Sequence, residues 1–347
     1  MHLALDATYS LGDNLSGVGV YSREILNGLA ATNPGAQFDW FYRSQRYAKA
    51  LRLAVPGNVT RRFLADGWGN RSAALFHGLN QRLPRRRFRR QIATFHDLFV
   101  LTGDYSTPDF RARFAAQARQ AAAGADLIIA VSAFTAQQVE DLLGVPRERI
   151  RVVHHGVLPR AAAPAVPREK IVLSVGALQR RKNQRSLVEE FAAMPEDWLL
   201  VLAGSAGYGS EEILDAARHS PASARIRITG YASEEQLAGW YARASIFVFP
   251  SLDEGFGMPV LEAMAAGIPV ISSNRAALPE VCGEAAWLVD PRDNRELSQA
   301  MRELAENPVR WRELAARGIS HASRFTWGRA VAATLAVYRE ILGSGVN

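Results

Sequence analysis

A single cysteine, Cys282, stands among 347 residues, which excludes an internal disulfide and suits the reducing cytoplasm. No stretch approaches the ~18 consecutive apolar residues of a membrane helix. The opening MHLALDATYS carries neither a basic leader nor a small-residue cleavage site, so neither a signal peptide nor a bilayer span is expected. Heptads, short-period repeats and low-complexity tracts are missing too, which excludes fibrous and solenoid architectures.

What remains is an ordinary globular composition, 48% hydrophobic and 22% charged. The length exceeds what one core usually supports, so two α/β domains of roughly 150 to 180 residues are expected. Short apolar runs alternate with longer amphipathic ones. Strands are expected at residues 2–7, 38–42, 74–77, 92–95, 127–131 and 150–153, with helices at 20–31, 108–123 and 133–143. PRAAAPAVPREK interrupts both periods and reads as a linker at residues 161–170. A second series follows, with strands at 171–175, 199–203, 226–229, 246–249 and 270–272, and closing helices at 295–306, 309–322 and 327–342. Such alternation packs as parallel sheets covered by helices. The fold class is therefore α/β, two Rossmann-like doubly wound domains with a cleft between them. Residues just past the strands are the first site candidates.

The net charge of +7 is partly local, because Arg82, Arg85, Arg86, Arg87, Arg89 and Arg90 crowd into RLPRRRFRR. The run reads either as a solvated flank or as a contact for an anionic surface. Nucleic acid is not expected as a partner, since no binding motif or aromatic platform accompanies the arginines.

The strongest local signal is FPSLDEGFGMPVLEAMAAGIPVISS, an apolar strand, a short acidic glycine loop and a helix beginning near Pro259, a residue suited to a first turn. Gly255 and Gly257 let backbone N–H groups approach an anion at the positive end of that helix. Glu254 in the loop and Glu262 in the helix are separate contacts for hydroxyl groups, not a catalytic pair.

The spacing E-GFGMPVL-E from Glu254 to Glu262 resembles that of the retaining glycosyltransferases of family 4, or group 1, whose GT-B fold consists of two facing Rossmann-like domains. Further segments resemble the same family. In VGALQRRKNQRSL, Gly176 opens a loop in which Arg181 and Lys182 would clamp a donor diphosphate, while Gln179 and Arg180 replace the family's common glutamate and proline. The loop GDNLSGVGVYSREI would turn backbone amides at Gly17 and Gly19 toward the diphosphate. TFHDLF resembles the histidine-aspartate pair whose histidine, here His96, faces the donor sugar. Gly204 in LAGSAGYG and Tyr231 in TGYASEEQL would line the donor pocket together with Phe256, Met258 and Pro259, and Ser132 resembles the family's strand-end serine. His155 stands before Gly156 where many members have asparagine.

The resemblance implies transfer of a hexose, with mannose from GDP-mannose favoured and UDP-sugars as the alternative, to a glycan or lipid-linked acceptor with retention of configuration. Catalytic roles fall to His96, Arg181, Lys182 and Glu254. No Asp-x-Asp occurs, and His77, His96, His154 and His155 lack ligand-like spacing, so neither a metal nor another cofactor is expected. Arg85, Arg86, Arg87, Arg89 and Arg90, on the expected acceptor domain, would contact an anionic lipid carrier or the inner face of a membrane. The closing helix, residues 327–347, would cross back to complete the first domain, residues 1–160, leaving 171–326 as the donor domain. A non-catalytic nucleotide-sugar-binding protein stays open as a reading. A nicotinamide dehydrogenase fits less well, because Ser22 stands at its third glycine position.

Overall fold

Strands Leu75–Gly78, Gln91–Phe95, Leu127–Ala130 and Ile246–Phe249 are buried at every position, as parallel strands covered on both faces must be. A computed structural model describes residues 1–12, 15–65, 72–85, 87–158 and 167–343. The chain divides into two compact units. The first comprises Met1–Thr102, Pro108–Gly156 and Thr326–Asn347, and the second Gly103–Thr107 and Val157–Phe325.

The first unit runs β1 (His2–Asp6), α1 (Gly17–Thr32), β2 (Gln37–Tyr42), α2 (Ser44–Ala50), β3 (Val59–Phe63), β4 (Leu75–Gly78), β5 (Gln91–Phe95), α3 (Phe99–Thr102), α4 (Pro108–Gly124), β6 (Leu127–Ala130), α5 (Ala133–Leu143) and β7 (Ile150–Val152). Its seven strands are parallel in the order β3-β2-β1-β4-β5-β6-β7. The order reverses between β1 and β4, where the carboxyl ends of two strands leave a crevice. Ser132 caps α5 by accepting from the Thr135 N–H at 3.0 Å, one of the orphan donors that every helix start exposes.

The second unit runs β8 (Ile171–Val175), α6 (Gln184–Phe191), β9 (Leu199–Ala203), α7 (Ser210–His219), β10 (Ile226–Gly230), α8 (Glu234–Arg243), β11 (Ile246–Phe249), α9 (Met258–Ala265), β12 (Val270–Ser273), α10 (Leu278–Cys282), β13 (Trp287–Val289), α11 (Asn294–Glu306) and α12 (Pro308–Ala322). Six parallel strands lie in the order β10-β9-β8-β11-β12-β13, and the reversal falls between β8 and β11. Val172, Leu187, Phe191, Leu200, Val248 and Ile271 are among the residues forming its core. Arg168 ties two helix ends together. Its guanidinium donates to the carbonyls of Ala244, after α8, and Ala266, after α9, which satisfies acceptors that helix C-termini leave open.

The final helix, α13 (Trp327–Leu342), belongs to the first unit. The Tyr338 hydroxyl lies 2.6 Å from His77 Nδ1 at the end of β4, and Arg151 of β7 forms an ion pair with Glu340. Residues 161–166 of the expected linker lie outside the described residues.

Among the elements to which the sequence reading gave no range are α2, β3 and β13. β3 is an edge strand carrying Arg61 and Arg62, and α2 buries only Ala50. Neither shows the periodicity that core burial imposes. Helix α1 begins at Gly17 rather than residue 20, because Ser16 already has the extended conformation of an N-cap.

Candidate functional site

In the second unit the loops after β8 and β11, the two strands at its reversal point, bring three charged side chains together. A 3-10 turn, Arg180–Lys182, follows β8, and the Leu252 N–H donates to the Arg181 carbonyl at 2.8 Å, tying the two loops at their backbones. Glu254 Oε1 then lies 2.8 Å from Arg181 Nη1 and 2.5 Å from Lys182 Nζ. Arg181 Nη1 also donates to the Asp253 carbonyl at 2.6 Å. Lys182 Nζ sits over the Phe249 ring, 4.5 Å from its centroid, an aromatic face that favours a cation.

All three side chains are buried. Burial alone would raise the Glu254 carboxyl, but the Arg181 and Lys182 charges and their hydrogen bonds outweigh it and hold Glu254 below the usual carboxylate range. One carboxylate oxygen is thus shared by two cations. It lies beside the amino end of α9, whose N-cap Gly257 adopts φ +100°, a left-handed conformation that glycine tolerates without the penalty of a Cβ. Gly255 and Phe256 are buried in the loop, with the Phe256 ring edge-on to Phe325. Met258 and Pro259 form the first turn of α9, so the helix starts one residue before Pro259.

The other donor-side candidates follow strands of the same sheet. Gly176 follows β8, and Gly204 follows β9 and bridges to Gly230. Tyr231 follows β10 and is 48% exposed. Glu262 lies within α9, where its Oε2 accepts from the Tyr241 hydroxyl at 2.8 Å. The two glutamates of the E-GFGMPVL-E spacing thus occupy different environments: Glu254 is bound to cations and Glu262 to a phenol.

In the first unit Gly17 and Gly19 sit in the opening turn of α1, not in a loop. His96 follows β5 and is buried. Its Nε2 donates to the Leu79 carbonyl at 2.9 Å, which fixes the tautomer and makes Nδ1 an acceptor. The ring is clamped by Tyr21 edge-on at 4.8 Å and by His155, stacked at 5.3 Å with planes 24° apart. Burial brings the His96 pKa down to about 4 and lowers that of His155 as well, helped by His96 and His154. Behind this group, Thr94 Oγ1 lies 3.0 Å from the Tyr21 hydroxyl and 2.8 Å from His77 Nε2. Burial, then the neighbouring His96, takes the His77 pKa down to about 3. Sequence reasoning named His77 as a strand-end histidine and His155 also as standing where many family members have asparagine, and it missed Tyr21 and Thr94. No spacing rule marks residues that meet only in the folded sheet.

The arginine run lies elsewhere in the same unit. Arg87 and Arg90 pair with Asp126 at 2.6 and 3.5 Å, and the Asp126 carboxylate accepts from the Gln91 N–H at 2.8 Å. Gln91 and Leu127 begin β5 and β6, so this part of the run borders the amino ends of the strands, the end opposite His96. Arg85 and Arg89 are exposed, whereas Leu83 and Phe88 are buried. Arg86 lies outside the described residues. Among the described residues, no three His, Cys, Asp or Glu side chains gather as a metal site, and no helix is long and apolar enough to cross a membrane.

Two doubly wound parallel sheets, one with paired cations at its reversal point, are the architecture of the GT-B fold. Residues 169–307 match the family described as glycosyl transferases group 1, and residues 69–159 match glycosyltransferase family 4. The chain belongs to this family of glycosyltransferases.

It is 31% identical over 329 residues to the O-antigen chain mannosyltransferase B of Escherichia coli, covering 89% of this chain and 84% of that protein. The serotype-specific mannosyltransferase WbdA of Escherichia coli is 27% identical over 239 residues, 63% of this chain but only 29% of that longer protein. Among solved structures, sucrose-phosphate synthase (tll1590) from Thermosynechococcus elongatus gives a TM-score of 0.79 at 22% identity, with 99% of this chain and 100% of that one covered. That likeness concerns the fold.

Proposed function

We propose that the protein transfers a hexose, mannose from GDP-mannose by preference, to a lipid-linked glycan of a surface polysaccharide, with retention of configuration and without a divalent metal. The observation that carries this reading is Glu254 Oε1 held between Arg181 Nη1 and Lys182 Nζ at the reversal point of the second sheet. The mannosyl and O-antigen names of the relatives support the sugar and the pathway class. UDP-sugars are the alternative donors.

Breaking the bond between the sugar C1 and the diphosphate oxygen places negative charge on the departing diphosphate. Arg181 offers a planar fork and Lys182 a point charge for it, and the α9 amino end adds backbone N–H groups. Glu254 Oε1 is shared by the two cations, and its Oε2 accepts from a sugar hydroxyl. Glu262 takes the ribose diol, and in the first unit His96 Nδ1 is an acceptor available to a substrate hydroxyl. The acceptor hydroxyl attacks C1 on the face that the diphosphate leaves, and a phosphate oxygen takes its proton. The new C–O bond thus keeps the configuration.

Replacing both cations by alanine would strand the buried Glu254 carboxylate, so Lys182→Met is the cleaner test: Arg181 still holds Glu254 and one charge is removed. Transfer from a nucleotide-sugar panel should fall by at least about 100-fold, in the range for losing one transition-state donor, with circular dichroism unchanged. Wild-type turnover in that variant ends the assignment. Activity abolished by EDTA and restored by one divalent ion ends the metal-free part, and inversion at the anomeric proton by NMR ends the retaining part.

A further inference from the structure

We propose that Tyr338, on the last helix, is a positioning residue: through a buried hydrogen-bonded chain of His77, Thr94 and Tyr21 it fixes the ring that clamps His96. The four side chains come from four elements, α13, β4, β5 and α1. The Tyr338 hydroxyl lies 2.6 Å from His77 Nδ1, His77 Nε2 lies 2.8 Å from Thr94 Oγ1, and Thr94 Oγ1 lies 3.0 Å from the Tyr21 hydroxyl. All four residues are 0% exposed, so bulk water does not substitute for a missing link.

The imidazole couples the two halves of the chain. A neutral histidine has one N–H and one lone pair, and here each ring nitrogen faces a hydroxyl. If Tyr338 donates to Nδ1, Nε2–H must donate to Thr94. If Nδ1–H donates to Tyr338, Thr94 must donate to Nε2. One tautomer serves both hydroxyls, so removing the Tyr338 hydroxyl releases the constraint on Thr94. At the far end Tyr21 has its hydroxyl held by Thr94, while its ring stands edge-on to His96 at 4.8 Å and tilted against His155 at 4.9 Å. The other groups facing His96 are the Leu79 carbonyl, His155 and His77, which senses its charge. Of these only His77 belongs to the chain.

Backbone packing supports the same coupling. Gly28 lies about two turns after Tyr21 on α1, and a Cβ there would come within 2.4 Å of Val331 Cγ2 on α13. The two helices thus pack directly at Gly28, and the chain links them a second time through the sheet.

The inference rests on the role proposed for His96, but imidazole NMR of the full chain needs neither donor nor acceptor, so either reading can fail alone. Tyr338→Phe keeps the ring that meets His77 edge-on at 5.5 Å and removes only the hydroxyl. Thr94→Val removes the next link at almost constant volume, and Thr94→Ser keeps it. In Tyr338→Phe and in Thr94→Val the His96 titration should rise from about 4 toward the ordinary value of about 6.5. In both, kcat should fall about fivefold, the scale of coupling carried through packed and hydrogen-bonded side chains, with KM for the donor unchanged. The double variant should be no worse than either single one, as expected of one chain cut twice. Thr94→Ser should behave as wild type. So should Thr334→Val, which removes another buried α13 hydroxyl, one that donates to the Ala330 carbonyl of its own helix at 2.8 Å. Circular dichroism and thermal unfolding check that each variant is folded. An unmoved His96 titration in Tyr338→Phe, additive losses in the double variant, or an equal shift in Thr334→Val overturns the proposal.

Discussion

Lys182 Nζ and Glu254 Oε1, from loops 72 residues apart in sequence, lie 2.5 Å from each other. With Arg181 on the same oxygen, one carboxylate is set against two buried cations. Glu254 therefore holds two like charges side by side, which under the proposed function would let them grip one diphosphate. That task adds to the contact with sugar that its sequence position suggests.

Glu254→Gln should separate these tasks. Removing the negative charge should tighten binding of a free nucleoside diphosphate about tenfold, which corresponds to ~1.4 kcal/mol, while transfer drops at least about 100-fold. The fold should lose roughly 3 kcal/mol at neutral pH, the scale of breaking a buried ion pair. Because the folded carboxyl titrates below its usual value, its contribution is fully present above the unfolded value of about 4.3. It is lost as pH falls through the lower folded value, so the stabilities of wild type and variant should converge in acid. Calorimetric titration with the diphosphate and denaturant unfolding against pH measure both effects. Weaker diphosphate binding by the variant would show that Glu254 does not oppose the anion.

The fold class was legible because six strands are buried at every position and three more at all but their first residue, and parallel packing leaves that pattern in the sequence. What stayed hidden was structure made without burial, such as the edge strand bearing Arg61 and Arg62. The cluster was legible by residue type, since Arg181, Lys182 and Glu254 each follow a strand. Its wiring was not. Whether Glu254 meets a sugar, a cation or both depends on β8 and β11 being neighbours, and strand order is a tertiary property. Nor do six like charges in sequence show which of them are engaged: Asp126, just before another strand, meets Arg87 and Arg90.

His96 should remain neutral well below physiological pH. Its folded pKa of about 4 lies under the unfolded value of about 6.5, so the stability associated with its neutral form is complete above 6.5 and declines as pH falls toward 4. The groups facing it are Tyr21 from α1, the Leu79 carbonyl after β4 and His155 after β7, with His77 on β4 close enough to sense its charge. His155→Asn removes the stacked ring and opens the imidazole to water. The His96 titration, followed by imidazole NMR, should then move up toward 6.5, and an acid limb should appear in the pH profile of kcat at the same position. His155→Phe, which keeps an aromatic face, should restore the low value. An unmoved His96 titration in His155→Asn would show that His155 does not set its protonation.

Gly204 fixes how the loop carrying Arg181 and Lys182 begins. A Cβ built there would lie 1.9 Å from the Gly176 carbonyl oxygen and 2.4 Å from its carbon, both backbone atoms that no rotamer change can move aside. Gly176 opens the loop that ends in Arg181 and Lys182, so Gly204→Ala must push that loop from the sheet. Overpacking of this kind costs roughly 1–3 kcal/mol, and displacement of the cations should weaken diphosphate binding beyond what the stability loss alone accounts for. Gly239 in α8 is the control. A methyl group there would meet no atom within 4 Å, and alanine in a helix interior is favoured over glycine by roughly 0.5–1 kcal/mol. Gly239→Ala should therefore raise the unfolding midpoint and leave diphosphate affinity unchanged, whereas Gly204→Ala lowers both. Equal affinity in the two variants would mean that the Gly204–Gly176 contact does not position the cations.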